Sequence, residues 1–84
     1  MSAAGDTAAR IRGILSQVFG VPENSIGSGF SAASNPEWTS LNHLMLMSQL
    51  ESEFGVFFSN QEIQDLTSFD RIVEAITLRA APDA

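Results

Sequence analysis

The chain has 84 residues, 44% of them hydrophobic, and no cysteine, which excludes disulfides and thiolate metal sites. Its net charge of −6 argues against a nucleic-acid partner, because phosphates would repel the surface. One histidine cannot form a metal site alone, no apolar run is long enough to span a membrane, and the N-terminus has no apolar signal segment. We therefore expect a cytoplasmic protein with no metal and no membrane contact.

Apolar residues at i, i+3, i+4 and i+7 predict a first helix from about Asp6 to Phe19. Gly20 and Pro22 indicate its end, because glycine is favoured just past a helix C-terminus and proline cannot continue the helix. Residues 20–38 are rich in glycine, proline and serine and show little periodicity, which predicts a long loop. The side chains expected to hold this loop against the core are Ile26, Phe30 and Trp38.

The second predicted helix runs from about Ser40 to Phe54, stops at Gly55 and has two apolar faces. The inner face, expected to pack in the core, comprises His43, Leu46, Met47, Leu50 and Phe54. The outer face, which the long loop could cover or a partner protein could contact, comprises Leu41, Leu44, Met45, Ser48, Glu51 and Ser52. The sequence does not distinguish coverage by the loop from contact with a partner, and each can hold for different residues of the outer face.

The C-terminal third predicts a short helix and a longer one. Residues 56–58 form an apolar linker into the core, and Ser59 with Glu62 predicts a capping box for a helix over about 60–66. Thr67 with Asp70 predicts a similar start for a helix over about 68–79, and the last residues are expected to be frayed. The fold class is all-α: a single domain of residues 1–84, core about 7–79, forming an antiparallel bundle of three main helices and one short helix.

The stretch that begins Thr39-Ser40-Leu41 and continues through Glu51 and Glu53 to Phe54-Gly55 resembles the acyl carrier protein family, which opens its second helix with Asp-Ser-Leu and ends it with Glu-(Glu)-x-Phe-Gly. The order of elements from about residue 10 to 78 is similar as well. The resemblance implies that Ser40, flanked by Thr39 and Leu41, carries 4′-phosphopantetheine from coenzyme A. The thiol of that arm would carry acyl groups between enzymes of a polyketide, fatty-acid-like or other specialised pathway.

The implied partners are a phosphopantetheinyl transferase, an acyl-loading ligase or acyltransferase, and a ketosynthase or other pathway enzyme, with the carrier itself a monomer. Leu41, Leu44, Met45, Ser48 and Glu51 are the expected docking residues. The sequence departs from the family at Thr39, where an acid is usual, and we expect this to require a particular transferase or to slow the modification. Asn42, Ser48 and Ser52 also leave the second helix less acidic than is usual.

Two other functions compete with the carrier. Ser40 and His43 are three residues apart on a helix and could approach as a nucleophile and a base, but the sequence offers no orienting acid or oxyanion hole, so we expect no enzyme activity. The main alternative is a cofactor-free helical module that binds proteins through the outer face. Such a module would make no use of the Ser40 hydroxyl.

Overall fold

The computed structural model describes residues 3–80, and this part of the chain is helical without a β-strand. Three helices are long and one is short, as predicted, and two 3₁₀ turns lie between the first two. In chain order these elements are α1 (Ala3–Phe19), the turns Glu23–Ser25 and Ala32–Ser34, α2 (Ser40–Phe54), α3 (Asn60–Asp65) and α4 (Phe69–Ala80). The frayed tail predicted for residues 81–84 lies outside the described residues, and no helix within them is long and apolar enough to cross a membrane.

Helix α1 begins at Ala3, earlier than the predicted Asp6, and alanine, which supplies its first two residues, has the highest helix propensity of any residue. Its end at Phe19 is confirmed. Gly20 adopts a left-handed conformation with φ 70°, and its N–H donates to the Ser16 carbonyl at 2.9 Å. Glycine reaches this conformation without steric cost, which is why it terminates the helix here.

The segment from α1 to α2 is held by the three predicted side chains, since Ile26, Phe30 and Trp38 are all buried. The ring centres of Phe19 and Trp38 are 4.8 Å apart, and those of Phe30 and Trp38 are 5.9 Å apart. The two 3₁₀ turns in this segment were not predicted, because turns of three residues are too short to show a hydrophobic period. The aromatic cluster fixes the entry to α2.

Both ends of α2 match the prediction, and Gly55 closes it with φ 66°. The capping box of α3 is confirmed: Ser59 Oγ accepts from the Glu62 N–H, and the Glu62 carboxylate accepts from the Ser59 N–H. The predicted Thr67 cap of α4 is wrong. Ser68 Oγ accepts from the Arg71 N–H at 3.1 Å, so α4 starts one residue later than predicted.

Thr67 is instead used in pairing the long loop with the entry to α4. Its carbonyl accepts from the Ala32 N–H at 3.0 Å, and the Phe69 N–H donates to the Phe30 carbonyl at 2.9 Å. This pairing passes through the isolated bridge between Ser31 and Ser68. The two segments are far apart in sequence, and capping patterns depend only on neighbouring residues. The sequence analysis therefore could not predict that these segments pair.

Helix α1 packs against both α2 and α4, and one continuous core fills the space among them. One inner prediction needs correction. Phe57 does not enter the core with Val56 and Phe58 but is 84% exposed, because successive residues of an extended linker point to opposite sides. Phe54 packs against the core as predicted, although it is half-buried, and the Arg10 guanidinium lies 4.5 Å from its ring centre. The largest side chains that are fully buried in the core are Ile11, Leu15, Leu46, Leu50, Ile72 and Ile76.

Candidate functional site

Ser40 is the first residue of α2, and its side chain is exposed. The preceding Thr39 is the N-cap: its Oγ1 accepts from the Asn42 N–H at 3.1 Å, and its carbonyl accepts from the His43 N–H at 2.8 Å. The N–H groups of Ser40 and Leu41 have no hydrogen-bond partner among the described residues. The start of α2 therefore presents one hydroxyl and two unpaired backbone donors, at the positive end of the helix dipole.

An open groove of about 570 Å³ adjoins Ser40 and runs between the start of α2, helix α3 and the loop that precedes α4. Its walls combine apolar side chains with uncharged polar ones. The residues that line it are Ala32, Trp38, Thr39, Ser40, His43, Leu44, Asn60, Ile63, Gln64 and Thr67. A chain attached to the Ser40 hydroxyl would reach this groove at once.

His43 connects the two sides of the groove. The Trp38 indole Nε1–H donates to His43 Nδ1 at 2.9 Å, and His43 Nε2 lies 2.6 Å from the Ile63 carbonyl oxygen. Because Nδ1 accepts a hydrogen bond from Trp38, the tautomer that fits is the one that carries its hydrogen on Nε2, and this N–H donates to the Ile63 carbonyl. Neither ring nitrogen is left to accept a proton from Ser40, so this arrangement does not offer the nucleophile–base pair considered for these two residues.

The outer face is exposed along the first two turns of α2. Leu41 is 67% exposed, Leu44 58% and Met45 46%, and Ser48 is exposed beside them. The loop between α1 and α2 therefore does not cover these residues, so the first of the two interpretations of the outer face, that the loop covers it, does not hold for them. Large apolar side chains that remain exposed together are a feature of interaction surfaces.

Glu51, the acidic residue expected at the far edge of the outer face, is used by the fold. It is half-buried, and its carboxylate accepts from the Phe58 N–H at 3.0 Å. Its charge is thus directed at the linker after α2 and not out towards a partner. The remaining predicted docking residues lie nearer Ser40 and are free of such contacts with the described residues.

The four arginines each contact the chain's own groups away from Ser40. Arg10 pairs with Glu53 at 2.6 Å, Arg12 donates to the Ile26 carbonyl at 2.9 Å, Arg71 donates to the Asp65 carbonyl at 3.3 Å, and Arg79 pairs with Glu62. The Ser59 N–H, followed by Arg79, lowers the pKa of the Glu62 carboxyl below its usual value. None of the four positive side chains lines the groove.

The structure thus brings the predicted residues Thr39, Ser40 and Leu41 together at one helix end, with Leu44 and Met45 beside them. It adds residues that sequence reasoning missed, namely Asn60, Ile63, Gln64 and Thr67. The sequence could place these residues on a short helix and just after it. Only the packing of α3 near α2 brings them next to Ser40. The described residues contain no group of three or more histidine, aspartate or glutamate side chains positioned to hold a metal ion.

No protein-family model matches this chain, and no curated protein matches its sequence.

Proposed function

We propose that this chain is an acyl carrier protein whose Ser40 hydroxyl is the attachment point of a 4′-phosphopantetheine arm. The observation that carries the proposal is the exposed hydroxyl on the first residue of α2, beside two unpaired backbone N–H groups and an open groove. The resemblance of residues 39–55 to the carrier family and the order of the helices support it. The thiol of the arm supplies thioester chemistry that a chain without cysteine lacks.

The residues around Ser40 suit a phosphodiester. On attachment, Ser40 Oγ bonds to the phosphorus that bears pantetheine in coenzyme A while the P–O bond of the diphosphate breaks. The nucleotide half of coenzyme A leaves with the bridging oxygen, and the hydroxyl proton passes to a base of the transferase. The Ser40 and Leu41 N–H groups can then donate to the phosphate oxygens, and the helix dipole favours the negative charge. The capping bond from the Asn42 N–H to Thr39 Oγ1 does not involve the Ser40 hydroxyl, so we expect modification to leave the start of the helix unchanged.

The outer face is the proposed docking surface for the enzymes that load and unload the arm. Leu41, Leu44 and Met45 give it an exposed apolar centre next to the attachment point. The flexible Met45 side chain suits a surface that fits several enzymes in turn. The partners would be a phosphopantetheinyl transferase, an acyl-loading ligase or acyltransferase, and a ketosynthase or similar pathway enzyme.

Thr39 bears on how readily Ser40 is modified. An acid in this position would place a carboxylate beside the phosphate and its magnesium during transfer, whereas the Thr39 hydroxyl is already occupied as the cap of α2. We therefore expect this carrier to need a transferase that does not depend on that carboxylate, or to be loaded slowly by one that does.

The experiment is to co-express the chain with a broad-specificity phosphopantetheinyl transferase and to weigh the intact protein. We expect a gain in mass of one phosphopantetheine group, lost in Ser40→Ala and kept in Ser25→Ala, which removes an exposed hydroxyl outside α2 and its outer face. No gain with several transferases, in a protein whose far-UV spectrum shows it folded, would contradict the carrier. The cofactor-free interaction module would then be the better explanation of the exposed outer face.

A further inference from the structure

We propose that Trp38 protects the thioester carried on the arm of Ser40, because its indole N–H occupies the one side-chain nitrogen that could attack that thioester. The inference rests on the proposed function, since it takes Ser40 as the point of attachment. It deepens that function by naming a class of cargo, namely acyl groups whose thioesters react readily with nucleophiles because an electron-withdrawing substituent lies beside the carbonyl carbon.

The first observation is that the chain has few side chains able to attack a thioester. It contains no cysteine, lysine or tyrosine, and its four cationic side chains are arginines, which stay protonated in proteins. Serine and threonine hydroxyls are weak nucleophiles unless a base activates them. Carboxylates attack thioesters poorly, since the anhydride that would form is the more reactive compound. The imidazole of the single histidine, His43, is therefore the one side chain that is nucleophilic at neutral pH without activation.

His43 lies within reach of a group carried on Ser40. It lines the same groove, three residues further along α2, and it is only half-buried. A short flexible tether keeps its end near the attachment point at an effective concentration of about millimolar. A thioester on the arm therefore meets the His43 ring far more often than it would meet an imidazole free in solution.

A free nitrogen on that ring would destroy the cargo. Nδ1 would bond to the carbonyl carbon, the C–S bond would break, and the thiolate of the arm would leave. Water would then hydrolyse the acylimidazole, its hydroxyl going to the acyl group and its proton to the thiolate. The ring would be regenerated and the acyl group lost as a carboxylic acid, without any enzyme. This loss is fastest for the most reactive thioesters.

Both nitrogens of His43 are already occupied. The lone pair of Nδ1 accepts the Trp38 indole N–H at 2.9 Å, and Nε2 carries the hydrogen that it donates to the Ile63 carbonyl at 2.6 Å. Nδ1 can bond to a carbonyl carbon only after the bond from Trp38 is broken. Trp38 is 8% exposed, so its N–H would then lack a partner where water scarcely reaches, which is unfavourable.

The indole is held in place by its own neighbours. Its ring centre lies 4.8 Å from that of Phe19 and 5.9 Å from that of Phe30, and all three side chains are buried. Trp38 therefore cannot turn away from His43 without disrupting the aromatic cluster that fixes the entry to α2. The residue that packs the loop against the core thus also keeps the imidazole unreactive.

The absence of cysteine allows a test that needs no transferase. In Ser40→Cys the new thiolate is the single thiolate of the protein, and it displaces bromide from a bromoacetamide whose nitrogen bears a 2-(acetylthio)ethyl group. One S–C bond forms, and the attached arm ends in an acetyl thioester. A second reagent carries methoxyacetyl, which is more reactive. Loss of the acyl group is followed by intact mass at neutral pH and compared with the matching N-acetylcysteamine thioester free in buffer.

We expect the tethered and free thioesters to be hydrolysed at the same rate, for both acyl groups. Trp38→Phe, added to Ser40→Cys, keeps an aromatic ring but frees Nδ1 of His43. Hydrolysis should become about tenfold faster, which is below the range for a positioned catalytic base because the arm is flexible. Adding His43→Gln to that variant should restore the slow rate, since the imidazole is then gone. Circular dichroism shows whether each variant is folded.

A second measurement needs neither the Trp38 nor the His43 variant. The protein has one histidine and one tryptophan, so the ring nitrogens and the indole N–H each give unique signals in ¹⁵N spectra. We expect the spectra of neutral His43 to show its hydrogen on Nε2 and the indole hydrogen to exchange slowly with water. A hydrogen on Nδ1 would overturn the inference even if Trp38→Phe failed to fold.

The thioester measurements can overturn it as well. Faster loss of either acyl group from the tethered arm than from the free thioester would show that the carrier is not inert towards its cargo. An unchanged rate in a folded Trp38→Phe, or an acceleration that persists after His43→Gln, would show that Trp38 does not protect the thioester. Failure of the transferase experiment on Ser40 would instead count against the carrier function, because the alkylated cysteine does not depend on a transferase.

Discussion

The two faces of α2 carry the same residue types in opposite roles. Leu46 is completely buried and Leu44 is 58% exposed, while Met47 is 2% and Met45 46% exposed. These pairs share a helix, a local sequence and a hydrophobicity, so composition does not distinguish them. What differs is the direction in which each points from the helix axis: one face meets α1, and the other meets solvent beside Ser40. The apolar residues of the outer face are therefore available for function.

The largest expected effect is a difference in stability between variants of Leu46 and Leu44. Leu46→Ala should lower the free energy of unfolding by about 2–5 kcal/mol, because it removes a fully buried side chain and leaves a cavity. Leu44→Ala should change it by less than about 0.5 kcal/mol, since the side chain is already in contact with water. Urea denaturation followed by circular dichroism measures both. Similar losses in the two variants would show that the outer face is part of the core.

His43 belongs to the inner face but also lines the groove. Substituting it therefore tests whether the residues at the edge of the core contribute to stability. His43→Leu should lower the free energy of unfolding by about 1–3 kcal/mol, because the Trp38 indole N–H and the Ile63 carbonyl both lose their partner. The control is the neighbouring Asn42→Ala, which removes one bond from its side-chain amide to the Glu37 carbonyl at the exposed surface. We expect a smaller loss there, measured by the same denaturation curves.

Much of this comparison could be predicted from the sequence. Helical spacing placed Leu46, Met47 and Leu50 inside, and the predicted bounds of α2, including its stop at Gly55, match the structure. Local signals of this kind need only neighbouring residues, which is why they also identified the Ser59–Glu62 capping box. They placed Ser40 at a helix start and Leu44 and Met45 on its outer side.

The rest depended on contacts between distant segments. Thr67 was predicted as a cap because it is followed by Asp70, but its carbonyl pairs with Ala32 and the capping hydroxyl belongs to Ser68. Glu51 was assigned to the outer face, yet its carboxylate binds the Phe58 N–H after the chain has turned. The groove required α3 to approach α2, and no periodicity within either helix specifies that approach.

The function of the outer face is tested by loading of Ser40. Leu44→Ala should lower kcat/KM of a phosphopantetheinyl transferase by about tenfold, because truncating one of the few central residues that dominate an interface costs more than about 1 kcal/mol, and about 1.4 kcal/mol is tenfold. Leu78→Ala is the matched control, since Leu78 is 74% exposed on α4 and does not line the groove beside Ser40. The proposal of a docking face would be contradicted if both variants were loaded at the same rate as the unaltered protein.

The smallest expected effect concerns Glu62, whose capping box supports the α3 side of the groove. The Ser59 N–H and Arg79 lower the pKa of its carboxyl in the folded protein, so the ionised form is favoured more in the folded than in the unfolded chain. The resulting stabilisation is present above the ordinary value of 4.5 and is lost as the pH falls through the lower folded pKa. Stability measured by denaturation between about pH 3 and 7 should therefore decrease at the acidic end.

Glu62→Gln isolates this contribution, because glutamine can still accept the Ser59 N–H but does not titrate. The variant should lose less stability than the unaltered protein as the pH falls below 4.5, while the two remain closer in their response above it. The acidic decrease should also be reduced in Arg79→Gln, which removes the second cause of the shift. An identical acidic decrease in the Glu62 variant would mean that other carboxylates, and not the one that caps α3, determine how the α3 side of the groove responds to acid.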